Sequence, residues 1–293
     1  MHKSKLLQRE ARTSCFYIAP SFILLLLFSI IPIFASFALS FTDYTVLGSP
    51  QFCGVANYLR FFKDTTVKQA LLNSVIYTIV TVPLQTIFAL VIAAVIAEHF
   101  RNRFGNIIKG TLFIPSVASA AVCGTVWCMI LSPTGLINSV LASVFDNTVN
   151  FLGSKSLSIF VICFVLVWKN VGYFLVIYYA GIMDIPHSLY EAAEVDGATP
   201  IQRFFHITLP NLKSISYLVV TLGTIWAFQS FDIVKVMTDG GPGISTISLV
   251  LTVYRAAFKE YRMGYACAVS VLLLIVIIVI SLLQKAVVKR GED

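Results

Sequence analysis

The sequence predicts an all-α integral membrane protein: six transmembrane helices with an elbow of two short helices between the fourth and the fifth. Three observations carry this fold class. The chain is 58% hydrophobic and only 12% charged, with a mean hydropathy of +0.86, more apolar surface than a soluble core of 293 residues requires. Six stretches supply the roughly 20 apolar residues that a helix needs to cross a bilayer. Between two of them, residues 184–213 are polar and densely punctuated by helix-capping residues, glycine and proline.

The six stretches cover roughly residues 15–39, 71–97, 108–131, 157–181, 214–236 and 264–284. The first is preceded by Lys3, Lys5, Arg9 and Arg12, as a secretory signal would be. Its apolar part is longer than the 7–15 residues of a signal core, so a retained span is expected. This divides the chain into a tail of residues 1–14, a six-helix transmembrane bundle of residues 15–284 and a tail of residues 285–293. An even number of spans puts both termini on one side. The tails and the loops on that side hold twelve Lys and Arg, the opposite loops seven. The positive-inside rule therefore places both termini, and the elbow, in the cytoplasm.

A net charge of +7 does not indicate nucleic acid, because the basic residues form short clusters between apolar runs. Cys15, Cys123, Cys128, Cys163 and Cys267 lie in or beside apolar segments with no CxxC pair, and no His/Cys spacing suits a metal. They read as small core residues. His2, His99, His187 and His206 are dispersed, and no serine–histidine–acid set accompanies them, so catalysis by this chain is not expected. No G-x-x-x-x-G-K-[ST] occurs, so no cofactor is expected here, and any nucleotide must be held elsewhere. The glycines Gly240, Gly241 and Gly243 read as a tight turn closing the fifth span rather than a phosphate nest. A secondary, ion-coupled transporter or a channel subunit is the alternative class. Ion coupling generally needs carboxylates inside spans, and of fourteen acidic residues only Asp232 falls within one.

In the elbow, Ser188 with Glu191 fits a capping box, predicting a helix from about Leu189 to Asp196. Gly197 offers the left-handed conformation that closes helices. Thr199, Pro200 and Gln202 give a second capping box with proline at the first helical position, hence a second short helix. Pro210 disfavours a helical Leu209, so that helix is expected to end or kink there. On periodicity alone, an interfacial connector fits equally well.

Glu191, Ala192, Ala193, Gly197, Ile207, Leu209 and Pro210 stand at the spacing EAA, three residues, G, nine residues, I, any residue, LP. This resembles the EAA loop of the permeases of binding-protein-dependent ABC importers, and every fixed position matches. "LYEAAEVDGA" and, after the fifth span, "TDGGPG" are similar to the sugar permeases of the maltose and glycerol-phosphate type. The resemblance implies that the elbow docks in a groove of a separate ATPase subunit, with Ala192 and Ala193 allowing close approach and Glu191 offering a charge. It also implies a second, homologous permease subunit as heterodimer partner, two ATPase subunits that bind ATP and Mg, and an extracellular sugar-binding lipoprotein or periplasmic protein. The lipid bilayer of a bacterial plasma (inner) membrane would be the site.

A sugar path is sought among polar residues inside spans, which are costly to keep there. In the fourth span, Val167, Asn170, Val171 and Phe174 fall on one helical face. In the fifth, Gly223, Ala227 and Ser230 form a stripe flanked by Trp226 and Gln229. By the resemblance, these surfaces correspond to the sugar-lining ones of the maltose-type family, with smaller or less polar residues at several places. The fifth-span stripe reads equally as a small-residue packing seam. Lys169 is expected to snorkel or to pair with a neighbouring subunit.

Overall fold

The computed structural model describes residues 2–289, with side chains described for residues 13, 14 and 16–287. Residues 290–293 of the expected C-terminal tail lie outside them, as do the side chains of Lys3, Lys5, Arg9, Arg12 and Cys15. Among the described residues six helical stretches are long and apolar enough to cross a membrane. Among the described residues, apart from one hairpin of two two-residue strands, the regular secondary structure is helical, as lipid demands of any backbone it surrounds.

The chain divides into two compact units. The first comprises residues 1–63 and 253–272. It begins with α1 (His2–Leu25), a π-turn (Leu26–Ile30) and α2 (Ile31–Leu39). The hairpin of β1 (Thr42–Asp43) and β2 (Gln51–Phe52) follows, then α3 (Ala56–Phe61). Asn57 organises this unit by donating to the carbonyls of Ser40 and Thr42, both at 2.9 Å. The rings of Phe41, Tyr58, Phe61 and Tyr265 form a continuous aromatic run beside it.

The second unit comprises residues 64–252 and 273–293. Its backbone is α4 (Thr65–His99), α5 (Arg103–Val117), α6 (Ala120–Leu131), α7 (Leu136–Phe145) and α8 (Leu157–Met183). The elbow follows as α9 (His187–Val195), α10 (Pro200–Arg203), a π-turn (Phe204–Thr208) and α11 (Leu209–Asn211). Then come α12 (Lys213–Phe228) and α13 (Asp232–Met237). Helices α14 (Leu249–Phe258) and α15 (Met263–Lys289) belong in part to each unit. At 35 residues and 1.5 Å per residue, α4 runs about 50 Å, well past a hydrocarbon core of about 30 Å.

The core of this unit is the seam of α4 with α8 and α12. Ala89, Ala93 and Ile96 of α4 meet Phe174, Leu175, Tyr178 and Ile182 of α8, with Leu212 and Val219 beside them. Small residues on α4 opposite large ones on α8 let the two axes approach, and in lipid such van der Waals fit holds helices together because burial of apolar area alone gains little there. Of the cysteines, Cys123 and Cys163 are buried, and Cys53, Cys128 and Cys267 half-buried.

Two expected spans are not single helices. The stretch expected at 108–131 is split between α5 and α6, with Ala118 and Ser119 extended (ψ 147° and 134°). Pro115 lacks an amide, and Ser116 commits its hydroxyl to another helix. The apolar stretch long enough to cross starts instead at Ala120 and takes in α6 and α7. The fifth, expected at 214–236, breaks at Gln229–Phe231 between α12 and α13. Non-helical backbone at membrane depth is tolerated where it lines a cavity, and this break does.

The segment 238–248 is more than a turn. Tyr77 donates to the carbonyl of Thr246 at 2.6 Å, Asn73 to that of Ile247 at 2.9 Å, and the Ser74 hydroxyl accepts from the amide of Leu249. All three side chains are buried in the N-terminal half of α4 and fix the segment to it.

Candidate functional site

Two regions draw together the residues singled out by the sequence: the elbow, and a pocket where α5, α8 and α12 meet.

Helix α9 starts two residues before its expected position, with Pro186 as its cap. The expected box of Ser188 and Glu191 is not formed. The Glu191 carboxylate instead meets Nδ1 of His187 at 2.9 Å, one turn back, and at this exposed site such a pair contributes little. The helix ends as the sequence predicts. Gly197 has φ +75°, its amide donates to the Glu194 carbonyl, and that of Ala198 to the Ala193 carbonyl, at 3.0 and 2.8 Å. This is a Schellman closure. A Cβ at Gly197 would meet no atom within 4 Å, so glycine is required by the dihedral and not by space. The second box is complete: Thr199 accepts from the amide of Gln202, whose side chain reaches back to the amide of Thr199 at 2.8 Å.

Leu209 is helical (φ −62°, ψ −43°) although a proline follows it, so the expected end or kink does not fall at this residue. The π-turn upstream absorbs the strain. The Leu209 amide bonds to Phe204, five residues back, which opens the turn where the Pro210 ring would strike the His206 carbonyl. The same device stands at Leu26–Ile30, two residues before Pro32. The chain turns further on, at Leu212 (φ −91°, ψ 8°).

Ala193, Gly197 and Ile207 line one cleft of about 340 Å³ with Asp196, Gln202 and His206. Glu191, Ala192 and Pro210 are exposed and Leu209 is half-buried. Apolar side chains also stand out from the elbow, Val195 at 88% and Ile201 at 71% exposure.

The pocket, of about 390 Å³, is lined by Asn170, Trp226, Gln229 and Ser230, four of the residues expected on the sugar path. Trp226 packs against Tyr173 with the two rings inclined at 54° and their centroids 5.0 Å apart, and Tyr173 also lines the pocket. The Asn170 amide donates to Oε1 of Gln85 on α4 at 3.3 Å, and the buried Ser230 hydroxyl has no protein partner.

The other four are placed differently. Phe174 is fully buried against Trp226, with ring centroids 5.2 Å apart. Val171, with Val167, lines a separate apolar groove between α4, α5 and α8. Gly223 faces α4, where a Cβ would meet the Gln85 amide at 2.3 Å, and Ala227 is buried. Gly223 and Ala227 thus belong to the packing seam. A helical wheel drawn through residue 230 assumed a continuous fifth helix, and the break at 229–231 turns Ser230 into the pocket.

Lys169 was expected to snorkel or to pair outward, yet it lines the pocket, its ammonium donating to the Ser116 carbonyl at 3.3 Å. Asp232, at the start of α13, faces the same space. Ser116 holds this wall in register: its hydroxyl donates to the Lys169 carbonyl at 2.7 Å and accepts from the Tyr173 amide at 3.1 Å, inserting into the hydrogen-bond ladder of α8. Tyr173, Ser116 and Phe231 gave no sequence signal. The polar run Gln229–Ser230 ahead of Asp232 could have announced the helix break.

With this geometry in hand, the family description "Binding-protein-dependent transport system inner membrane component" matches residues 66–292. The chain belongs to this family. It is 35% identical over 282 residues to the "Probable ABC transporter permease protein YurN" of Bacillus subtilis, covering 94% of this chain and 96% of the relative. It is 33% identical over 281 residues to the trehalose/maltose transport system permease protein MalF of Thermococcus litoralis, covering 95% and 93%. The solved bacterial alginate ABC transporter in complex with an alginate pentasaccharide-bound periplasmic protein contains a chain of the same fold, with a TM-score of 0.86, 21% identity and coverage of 98% and 96%. A binding-protein-dependent inner membrane component is therefore the frame in which the elbow and the pocket are to be understood.

Proposed function

We propose that this chain is one of two pore subunits of an ATP-driven importer and that it passes a sugar or oligosaccharide through the pocket at Trp226. The observation carrying the substrate class is the pocket's composition. Trp226 and Tyr173 offer faces to the CH surfaces of a pyranose, while Asn170, Gln229 and Ser230 stand ready for its hydroxyls. Relatives named for trehalose/maltose and arabinooligosaccharides support the same class. The elbow, with Glu191, Ala192, Ala193, Gly197, Ile207, Leu209 and Pro210, docks on the cytoplasmic side with one of two ATPase subunits, which hold ATP and Mg. A second homologous permease completes the pore, and an extracellular binding protein delivers the sugar. Both termini are cytoplasmic.

The test is reconstitution in proteoliposomes with the ATPase, the partner permease and the binding protein. ATP-dependent sugar uptake is expected, with Trp226→Ala raising the sugar concentration for half-maximal transport. Uptake that ignores ATP and follows an ion gradient would overturn this reading, and so would full transport by this chain alone.

A further inference from the structure

The elbow is tied to more than the helix it precedes. Arg203, at the end of α10, is only 9% exposed, a rare state for arginine that requires paired charge. One guanidinium nitrogen donates to Glu194 of α9, and another to Oε1 of Glu98 at 2.7 Å. Glu98 sits in the last turn of α4, where the helix dipole disfavours an anion, so its carboxylate depends on the cation beside it. A planar fork can serve two carboxylates at once, which the point charge of a lysine cannot do equally well. Thirteen residues before Glu98, about 20 Å along the axis, the same helix presents Gln85 to Asn170 of the pocket. In its N-terminal half it holds segment 244–249 through Asn73, Ser74 and Tyr77.

The geometry points to Arg203 as a positioning residue that links the elbow to α4, so that a displacement of the docked elbow is passed to the helix bearing Gln85 as well as to α12. This rests on the function proposed above. It assigns to Arg203, Glu98 and Glu194 a role in transmission distinct from docking.

The test uses the assembled transporter and measures sugar imported per ATP hydrolysed, with an Ala193→Cys crosslink to the ATPase as an independent measure of docking. Glu98→Gln and Arg203→Lys are each expected to lower the import-to-hydrolysis ratio about tenfold, within the usual range for coupling between sites, while the crosslink persists. Glu98→Gln combined with Arg203→Lys should be no worse than the poorer single variant, since both act on one link. Wild-type coupling in Glu98→Gln overturns the inference alone, and so does a double variant showing the product of two independent losses. Loss of the crosslink in Glu98→Gln also overturns it, because the triad would then hold only the elbow's own shape. A wild-type assembly without ATP-driven uptake removes the proposed function, and this inference with it.

Discussion

The elbow is organised by backbone hydrogen bonds and by one buried guanidinium, whereas the pocket is organised by rings and by helices that meet from distant parts of the chain. In the elbow the Schellman closure at Gly197, the capping box at Thr199 and the bond of Arg203 to Glu194 each span fewer than ten residues, and the longer reach of Arg203 to Glu98 ties that piece to α4. In the pocket, Ser116 reaches Tyr173 across 57 positions and Asn170 reaches Gln85 across 85. A locally determined piece can move as a unit while keeping its shape, which suits a segment that docks. A pocket built from separate helices changes when those helices shift, which suits the transport role proposed for it.

Substitutions test this contrast. The largest effect is expected from Phe174→Ala, which empties a fully buried ring position under Trp226. Such deletions cost about 3–5 kcal/mol, so the yield of intact protein and its thermal midpoint in detergent should fall sharply. A mild effect on stability with a selective change in sugar affinity would instead return Phe174 to the substrate path.

Next comes Gly197→Val. A β-branched residue at φ +75° is expected to cost about 2 kcal/mol, confined to the elbow because a Cβ there meets nothing. Insertion and thermal midpoint should stay near wild type, while ATP-driven uptake falls more than tenfold. Glu191→Lys should act alike through reversed charge at the dock. Normal uptake in both variants would show that the elbow only connects α8 to α12.

Trp226→Ala and Tyr173→Ala remove the aromatic wall. Each is expected to cost about 1–2 kcal/mol of sugar contact, a tenfold rise in half-saturation, with assembly retained. Transport kinetics unchanged in both would assign this wall to packing.

The smallest and most discriminating pair is Thr199→Ala against Ser188→Ala. Thr199 makes its cap, so its loss should cost about 1 kcal/mol of local stability. Ser188 makes none and should be neutral. Amide hydrogen exchange across residues 187–204 separates the two, and equal protection losses would mean that both boxes form in solution.

Gly197's left-handed backbone and the second capping box were legible in the sequence because they depend on neighbours a few residues away. The six apolar stretches were legible too, since a bilayer filters for length and composition alone. Two π-turns let the chain stay helical into Leu209 and Ile31, and no local rule for proline foresees that relief. Tertiary structure alone decided where the third and fifth spans break, which turned Ser230 toward Asn170 and brought Lys169 and Asp232 to one pocket. It also decided that Phe174 and Gly223 face α4, and that Arg203 finds Glu98 a hundred residues away. Capping, φ preference and hydrophobic length are energies of short segments and can be read along the chain. Which side of a helix meets which neighbour is fixed by packing among helices that the sequence does not order in space, so it appears only once they are assembled.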